Sequence, residues 1–153
     1  MVINATWSKP KKLENGKKHN LIYFVNSDKI PEVPRCYKFY TNFGGSISIH
    51  YIGRGNNLKS RVETQLNNAR LMIGIKNSMI GKKYIMYCTI EGGNKTQIDK
   101  SVSLEKQMIK FATLEGHELI NKIGTKLKFD TVNFTGNASS RKVFKSKMNI
   151  LKS

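Results

Sequence analysis

Short alternating apolar runs come first along this chain, and helical spacing follows. NLIYFV (residues 20–25) and CYKFY (residues 36–40) carry the β-branched and aromatic content of strands. NSDKIPEVP lies between them, and its prolines exclude a helix there. After the glycine turn NFGG, SISIHYI alternates Ile47, Ile49 and Tyr51 on one face, which predicts a hairpin with CYKFY. The same alternation turns His50 away from Tyr51, as a structural or DNA-facing residue. Gly53 and Gly55 end the strand. Asn56 or Asn57 then caps a helix in which Leu58, Val62, Leu66 and Ala69 form one stripe, with Lys59 and Arg70 toward solvent and Arg61 beside the stripe.

KKYIMYCTIEGG (residues 82–93) reads as a third strand ending on glycines. Ser101 or Ser103 opens a second helix that runs to Gly116, with Leu104, Met108, Phe111 and Ala112 as its buried face. This places Glu105 in the first turn, at the core edge. The tail has a strand-like start, a turn at Thr135-Gly136-Asn137, and a basic helix with Val143 and Phe144 inward. The polar stretch 1–19 reads as a mobile basic arm, and 20–153 as a single domain with a core at about 34–124 and a basic extension over 125–153. The expected fold is α+β: a three-stranded antiparallel central sheet flanked by helices, with an N-terminal strand or arm and a C-terminal helical extension.

Charge narrows the partners. Lys and Arg number 27 against 10 Asp and Glu in 153 residues, a formal charge of +17, which makes nucleic acid the leading partner class. No apolar run approaches the ~20 residues of a membrane span, and MVINATWSKPKK lacks the apolar segment of a signal peptide. A soluble, cytoplasmic protein without a small-molecule cofactor is expected. Cys36 and Cys88 show no paired spacing, and His19, His50 and His117 are scattered, so reduced buried thiols are expected rather than a zinc site or a disulfide framework.

Pro34-Arg35-Cys36-Tyr37-Lys38-Phe39, then Tyr51-Ile52-Gly53, then Asn57-Leu58-Lys59-Ser60-Arg61, then Glu105 in a helix and Asn121 beyond it resemble the GIY-YIG nuclease family. The resemblance spans roughly 34–124, and its strongest piece is Y-I-G followed by N-L-x-x-R. Two departures stand out: Arg35-Cys36-Tyr37 replaces the usual Gly-Ile-Tyr, and Gln65 sits where many members carry a histidine.

The resemblance implies a divalent-metal-dependent DNA endonuclease. Phosphodiester hydrolysis needs an attacking water, compensation of phosphate charge and stabilisation of the leaving oxygen. In the family's terms Glu105 would hold Mg²⁺ (or Mn²⁺), Arg61 would clamp the scissile phosphate, Tyr37 would act as base with Tyr51 orienting it, and Asn121 would brace the site. Taken singly, each has a plainer reading: tyrosines pack in strands, and carboxylates favour helix N-termini. Arg54, Lys59 and the loop 73–82 are candidate groove contacts, and Arg141, Lys142 and Lys145 candidate phosphate contacts on the outer face of the last helix. About thirty residues follow Asn121, too few for a typical further DNA-binding domain. The size therefore resembles the family's small type II restriction endonucleases, which implies a homodimer on double-stranded DNA. A phage or repair-type nicking enzyme is the runner-up. A non-catalytic basic nucleic-acid-binding protein would explain the charge but not the ordered Tyr, Arg and Glu. A PD-(D/E)xK nuclease is disfavoured, since neither Asp99 with Glu105-Lys106 nor Glu91 has its spacing.

Overall fold

In the computed structural model, which describes residues 2–121, 131–135 and 147–149, the expected hairpin is present. It pairs β5 (Arg35–Phe43) with β6 (Ser46–Gly55). The chain reaches it through β1 (Val2–Trp7), β2 (Lys11–Lys12), β3 (Glu14–Asn15) and β4 (Tyr23–Phe24). It continues through α1 (Leu58–Leu66), α2 (Ala69–Ser78), β7 (Lys82–Ile90), α3 (Asn94–Leu114), β8 (Thr131–Thr135) and β9 (Lys147–Asn149). The class is α+β with a mostly antiparallel sheet, but that sheet is larger than three strands. Its order is β6-β5-β7-β1-β8-β9, with β2 also on β7, seven strands in all.

The N-terminal segment is the main correction. Residues 2–7 are no mobile arm but an inner strand, antiparallel to β7 and parallel to β8. The cause is alternation: Ile3, Ala5 and Trp7 are buried while Val2, Asn4 and Thr6 face out. Pro10 lacks an N–H, and past it the chain returns to the same edge of β7 as β2. The C-terminal extension is likewise not purely helical, because β8 and β9 pair antiparallel within it. The expected basic helix and the turn at 135–137 fall largely outside the described residues.

Strand β5 is buried on both faces from Cys36 to Thr41, so the sheet is covered on two sides. Leu104, Met108 and Ala112 of α3 pack with Cys36, Ile49, Ile52 and Met86 on one face. Leu58, Val62, Leu71 and Met72 of α1 and α2 pack with Tyr37, Phe39 and Ile85 on the other. Lys38 is fully buried on the α3 side, its ammonium 3.5 Å from the centre of the Trp7 ring. Cys36 and Cys88 are free, buried, and opposite one another in register.

Three local expectations change. The register of β5 and β6 slips between Phe39 and Tyr40, leaving His50 as the extra residue of a bulge. Ile47 and Ile49 therefore pack on the α3 side while Tyr51 packs on the α1 side. His50 also turns toward α2, where Nε2 meets Thr41 Oγ1 at 2.6 Å and Ser78 Oγ at 3.2 Å. Second, the single expected helix is two. The Asn57 side chain caps α1 by accepting from Ser60 N–H, and that of Asn68 caps α2 by accepting from Leu71 N–H. Ala69 accordingly starts α2 and is exposed. Third, α3 begins at Asn94 rather than at Ser101 or Ser103, because Gln97 Nε2 ties its first turn to the carbonyls of Ile90 and Gly92. Glu105 thus lies in mid-helix, not in the first turn.

Candidate active site

Tyr37 stands opposite Gly53 in the register of β5 and β6, and Phe39 opposite Tyr51. The phenol of Tyr37 lies across the bare face of Gly53. A Cβ there would come within 2.5 Å of Tyr37 Oη and 2.8 Å of Tyr51 Cε1, so the glycine makes the space both rings occupy. The rings stack at 6.1 Å with 22° between their planes. Helix α1 crosses above them. Gln65 Nε2 donates to Tyr37 Oη at 2.8 Å and to Tyr51 Oη at 3.1 Å. Arg61 is one turn earlier on the same face, where its charge acts on both phenols. It packs over Gly55, where a Cβ would meet Arg61 Cβ at 2.6 Å.

These neighbours divide the two tyrosines. Tyr37 is fully buried, and burial pushes its phenol well up; the Gln65 hydrogen bond and the Arg61 charge pull the other way without cancelling it. Tyr51 is only half-buried and Arg61 is exposed, so the group opens to solvent on the Tyr51 and Arg61 side.

Arg54 points to the other face of β6. Its Nε donates to Ser101 Oγ of α3 at 2.9 Å, and its Nη2 donates to Asn56 Oδ1. Glu105 follows Ser101 by one turn. Burial raises its carboxyl, opposed by the charges of Arg54, Arg61 and Lys106. The charges of Arg54 and Arg61, which stand on opposite faces of β6, therefore both act on one carboxylate.

Strand β6 is the sheet's edge, and its outward backbone groups would otherwise be free to pair with another chain. Segment 117–121 occupies them. His117 Nδ1 accepts from Ile49 N–H at 3.0 Å and Ile120 N–H donates to the His50 carbonyl at 2.7 Å. Asn121 Oδ1 accepts from Ile52 N–H at 3.2 Å, and its Nδ2 donates to the Ile52 carbonyl. One side chain so mimics a strand partner beside Gly53, a bracing position.

Among the described residues no three His, Cys, Asp or Glu side chains converge to cage a metal. A single partly exposed carboxylate does fit a hard, hydrated cation such as Mg²⁺, which binds through one or two carboxylates, waters and substrate phosphates. The donor set does not fit a multi-ligand transition-metal centre.

The structure thus brings Tyr37, Tyr51, Arg61, Glu105 and Asn121 to one end of β5 and β6. Arg54 joins them. Lys59 lies half-buried in the first turn of α1, its N–H donating to the Pro31 carbonyl. The expected loop 73–82 is instead mostly the second half of α2. Arg141, Lys142 and Lys145 lie outside the described residues. Gln65 was absent from the expected site residues. Its signal was present: a position four residues after Arg61 shares that residue's helix face. No protein-family model matches the chain, and no curated protein or solved structure gives a significant match.

Proposed function

We propose that this chain is a divalent-metal-dependent endonuclease that hydrolyses phosphodiester bonds of double-stranded DNA by tyrosine-assisted water attack, in the manner of the GIY-YIG family. One observation carries the reading: the Gln65 amide joins two phenols at the end of β6, and the charge of Arg61 acts both on them and on the Glu105 carboxyl.

The guanidinium of Arg61 stays charged and offers paired N–H donors to a phosphate whose charge grows as the bond breaks. Tyr37 accepts the proton of the attacking water. Its oxygen already receives the Gln65 amide and feels the Arg61 charge, both of which favour the phenolate against the burial that disfavours it. Tyr51, on the open side, orients the water. Glu105 is the residue that would hold Mg²⁺ or Mn²⁺, and the bound cation would neutralise charge on the leaving 3′-oxygen. Asn121 keeps the strand end straight beside these groups.

A site with one carboxylate handles one strand at a time, so a restriction-type double-strand cut calls for a homodimer. Supercoiled plasmid incubated with the protein and Mg²⁺ separates the outcomes. The reading expects cleavage that EDTA stops and that Glu105→Ala abolishes while DNA stays bound. Linear product marks the restriction-type dimer, and open circles mark a nicking enzyme. Intact plasmid with tight binding means a non-catalytic binder and sinks the proposal.

A further inference from the structure

A second basic feature lies away from the tyrosines on the same face of the sheet. Strands β3 and β4 form a two-stranded ribbon whose connection carries Lys17, Lys18 and His19, all exposed. Leu21, Ile22 and Tyr23 of the ribbon join the apolar cluster that also contains Tyr37 and Tyr51. Between the ribbon turn and α2 runs a cleft of about 440 Å³ lined by Asn15, Lys17, Asn20, Leu21, Ile22 and Lys76. A second cleft of about 430 Å³ shares Asn15 and Lys17 with it and adds Lys18.

The turn is built to hold its shape. Gly16 N–H donates to the Ile22 carbonyl at 3.2 Å and Leu21 N–H to the Gly16 carbonyl at 2.9 Å. A Cβ at Gly16 would sit 2.6 Å from the Leu21 oxygen, so a larger residue does not fit. Asn15 Oδ1 accepts from Lys17 N–H at 2.9 Å, and Asn20 takes the left-handed conformation at φ 57°. The His19 ring stacks on Phe24 at 3.7 Å and 13°.

The charge on this platform is one-sided. From Lys9 to Val25 the chain has five lysines and one carboxylate, Glu14. Among the described residues no carboxylate lies within ion-pair distance of Lys17, Lys18 or Lys76. Exposed ammonium groups on an ordered turn around a cleft, with asparagine amides between them, suit the oxygens of a polyanion backbone. Pre-ordering the turn lowers the entropy lost on binding.

We propose that Lys17, Lys18 and Lys76 form a phosphate-binding subsite that takes the DNA backbone to one side of the cleaved bond. Only the position of that bond rests on the nuclease reading. The Leu13 N–H, next to the ribbon, donates to the Lys83 carbonyl, and Lys83 stands opposite Thr41, four residues along β5 from Tyr37. At ~3.3 Å per residue the base of the ribbon is offset along the sheet from Tyr37 by about 13 Å, or roughly four base pairs of duplex at 3.4 Å each. The subsite would therefore grip the flank.

The test is binding of a fluorescent 30-bp duplex in EDTA at several salt concentrations, with Glu105→Ala as the parent protein. K17A/K18A/K76A should weaken binding about tenfold to a hundredfold and flatten the slope of log Kd against log salt by about 2.7, since each phosphate no longer neutralised lowers the slope by about 0.9. A control, K95A/K100A/K110A on α3, removes equal charge elsewhere and should change neither by more than a third as much. Circular dichroism checks that both variants are folded. Equal losses in the two variants, an unchanged slope in the first, or no binding by the parent would each overturn the subsite. Because no cleavage is read, failure of the nuclease reading shows in the plasmid assay alone.

Discussion

The side-chain amide of Gln65 donates to the phenol oxygen of Tyr37 at 2.8 Å, and the same nitrogen reaches Tyr51 at 3.1 Å. A neutral group that does not titrate thus fixes both tyrosines from one helix position. Gln65→Leu keeps the volume and removes the donor. It should slow single-turnover cleavage about a hundredfold and cost about 1–2 kcal/mol of stability. Gln65→His restores a donor, so its rate should return to within about tenfold of the parent and acquire a titration near pH 6–7. A leucine variant cutting at the parental rate would exclude Gln65 from the chemistry.

The two tyrosines should fail differently. Tyr37→Phe deletes the hydroxyl that accepts from Gln65 and feels the Arg61 charge, and so should reduce the chemical step by about 10²–10⁴-fold with DNA affinity intact. Tyr51→Phe should cost less, since the half-buried ring only orients the water. If the larger loss belongs to Tyr51, the base role moves there; parental rates in both variants mean that neither phenol takes part.

Gly53→Ala tests the space beneath the rings. Its new methyl meets Tyr37 Oη at 2.5 Å and Tyr51 Cε1 at 2.8 Å, and the fully buried Tyr37 ring is enclosed by the core. Overpacking of this kind costs about 1–3 kcal/mol. Both the thermal midpoint and cleavage should fall, whereas Gly45→Ala in the hairpin turn, strained at φ 90° but with nothing within 4 Å, should lower the midpoint and affect cleavage little.

Glu105 should act against stability. Burial raises its carboxyl above the ordinary value of 4.5 despite Arg54, Arg61 and Lys106, so the folded state holds the proton more tightly than the unfolded one. Such a group contributes most at low pH and loses that contribution as pH rises through its folded pKa. Glu105→Gln should then be more stable than the parent at pH 7.5 and nearly equal to it at pH 3.5, while inactive throughout. Thermal melts at the two values decide. A glutamine variant less stable at pH 7.5 would show that the neighbouring cations outweigh burial.

His50 has the opposite sign. Burial, with help from Lys83 and His117, lowers its pKa from 6.5 to about 4. The unfolded chain therefore binds more protons between those values, and stability should drop as pH falls from about 6.5 to 4, by on the order of 2 kcal/mol. Above pH 7 the contribution is flat. Denaturant melts of the parent and His50→Gln across this window should converge at low pH, and because Glu105 is present in both, its contribution cancels in the difference. Parallel curves would mean that His50 does not titrate there.

The strands and helices that frame the site were legible from the residues alone, because each rests on short-range signals. The glycines after Tyr51-Ile52 mark a strand end, Asn57 caps the next helix, and Leu58, Val62 and Leu66 repeat at helical spacing. So was the shared face of Arg61 and Gln65, which the helix period determines by itself. The alternation of Ile3, Ala5 and Trp7 was equally visible, yet lysine-rich surroundings obscured it. Other features depended on the tertiary structure, since they arise only when distant segments meet. The bulge at His50 turns two successive side chains, His50 and Tyr51, to the face covered by α1 and α2, and only pairing with β5 reveals the extra residue. Lys38 is buried because Trp7, 31 positions earlier, covers it with an aromatic face. Asn121 becomes a backbone partner because the chain returns to the open edge of β6, whose unpaired N–H and carbonyl groups need one. Period and capping chemistry act within a few residues and can be read locally. Register, edge pairing and burial of charge depend on which segments pack together, and this the folded chain decides.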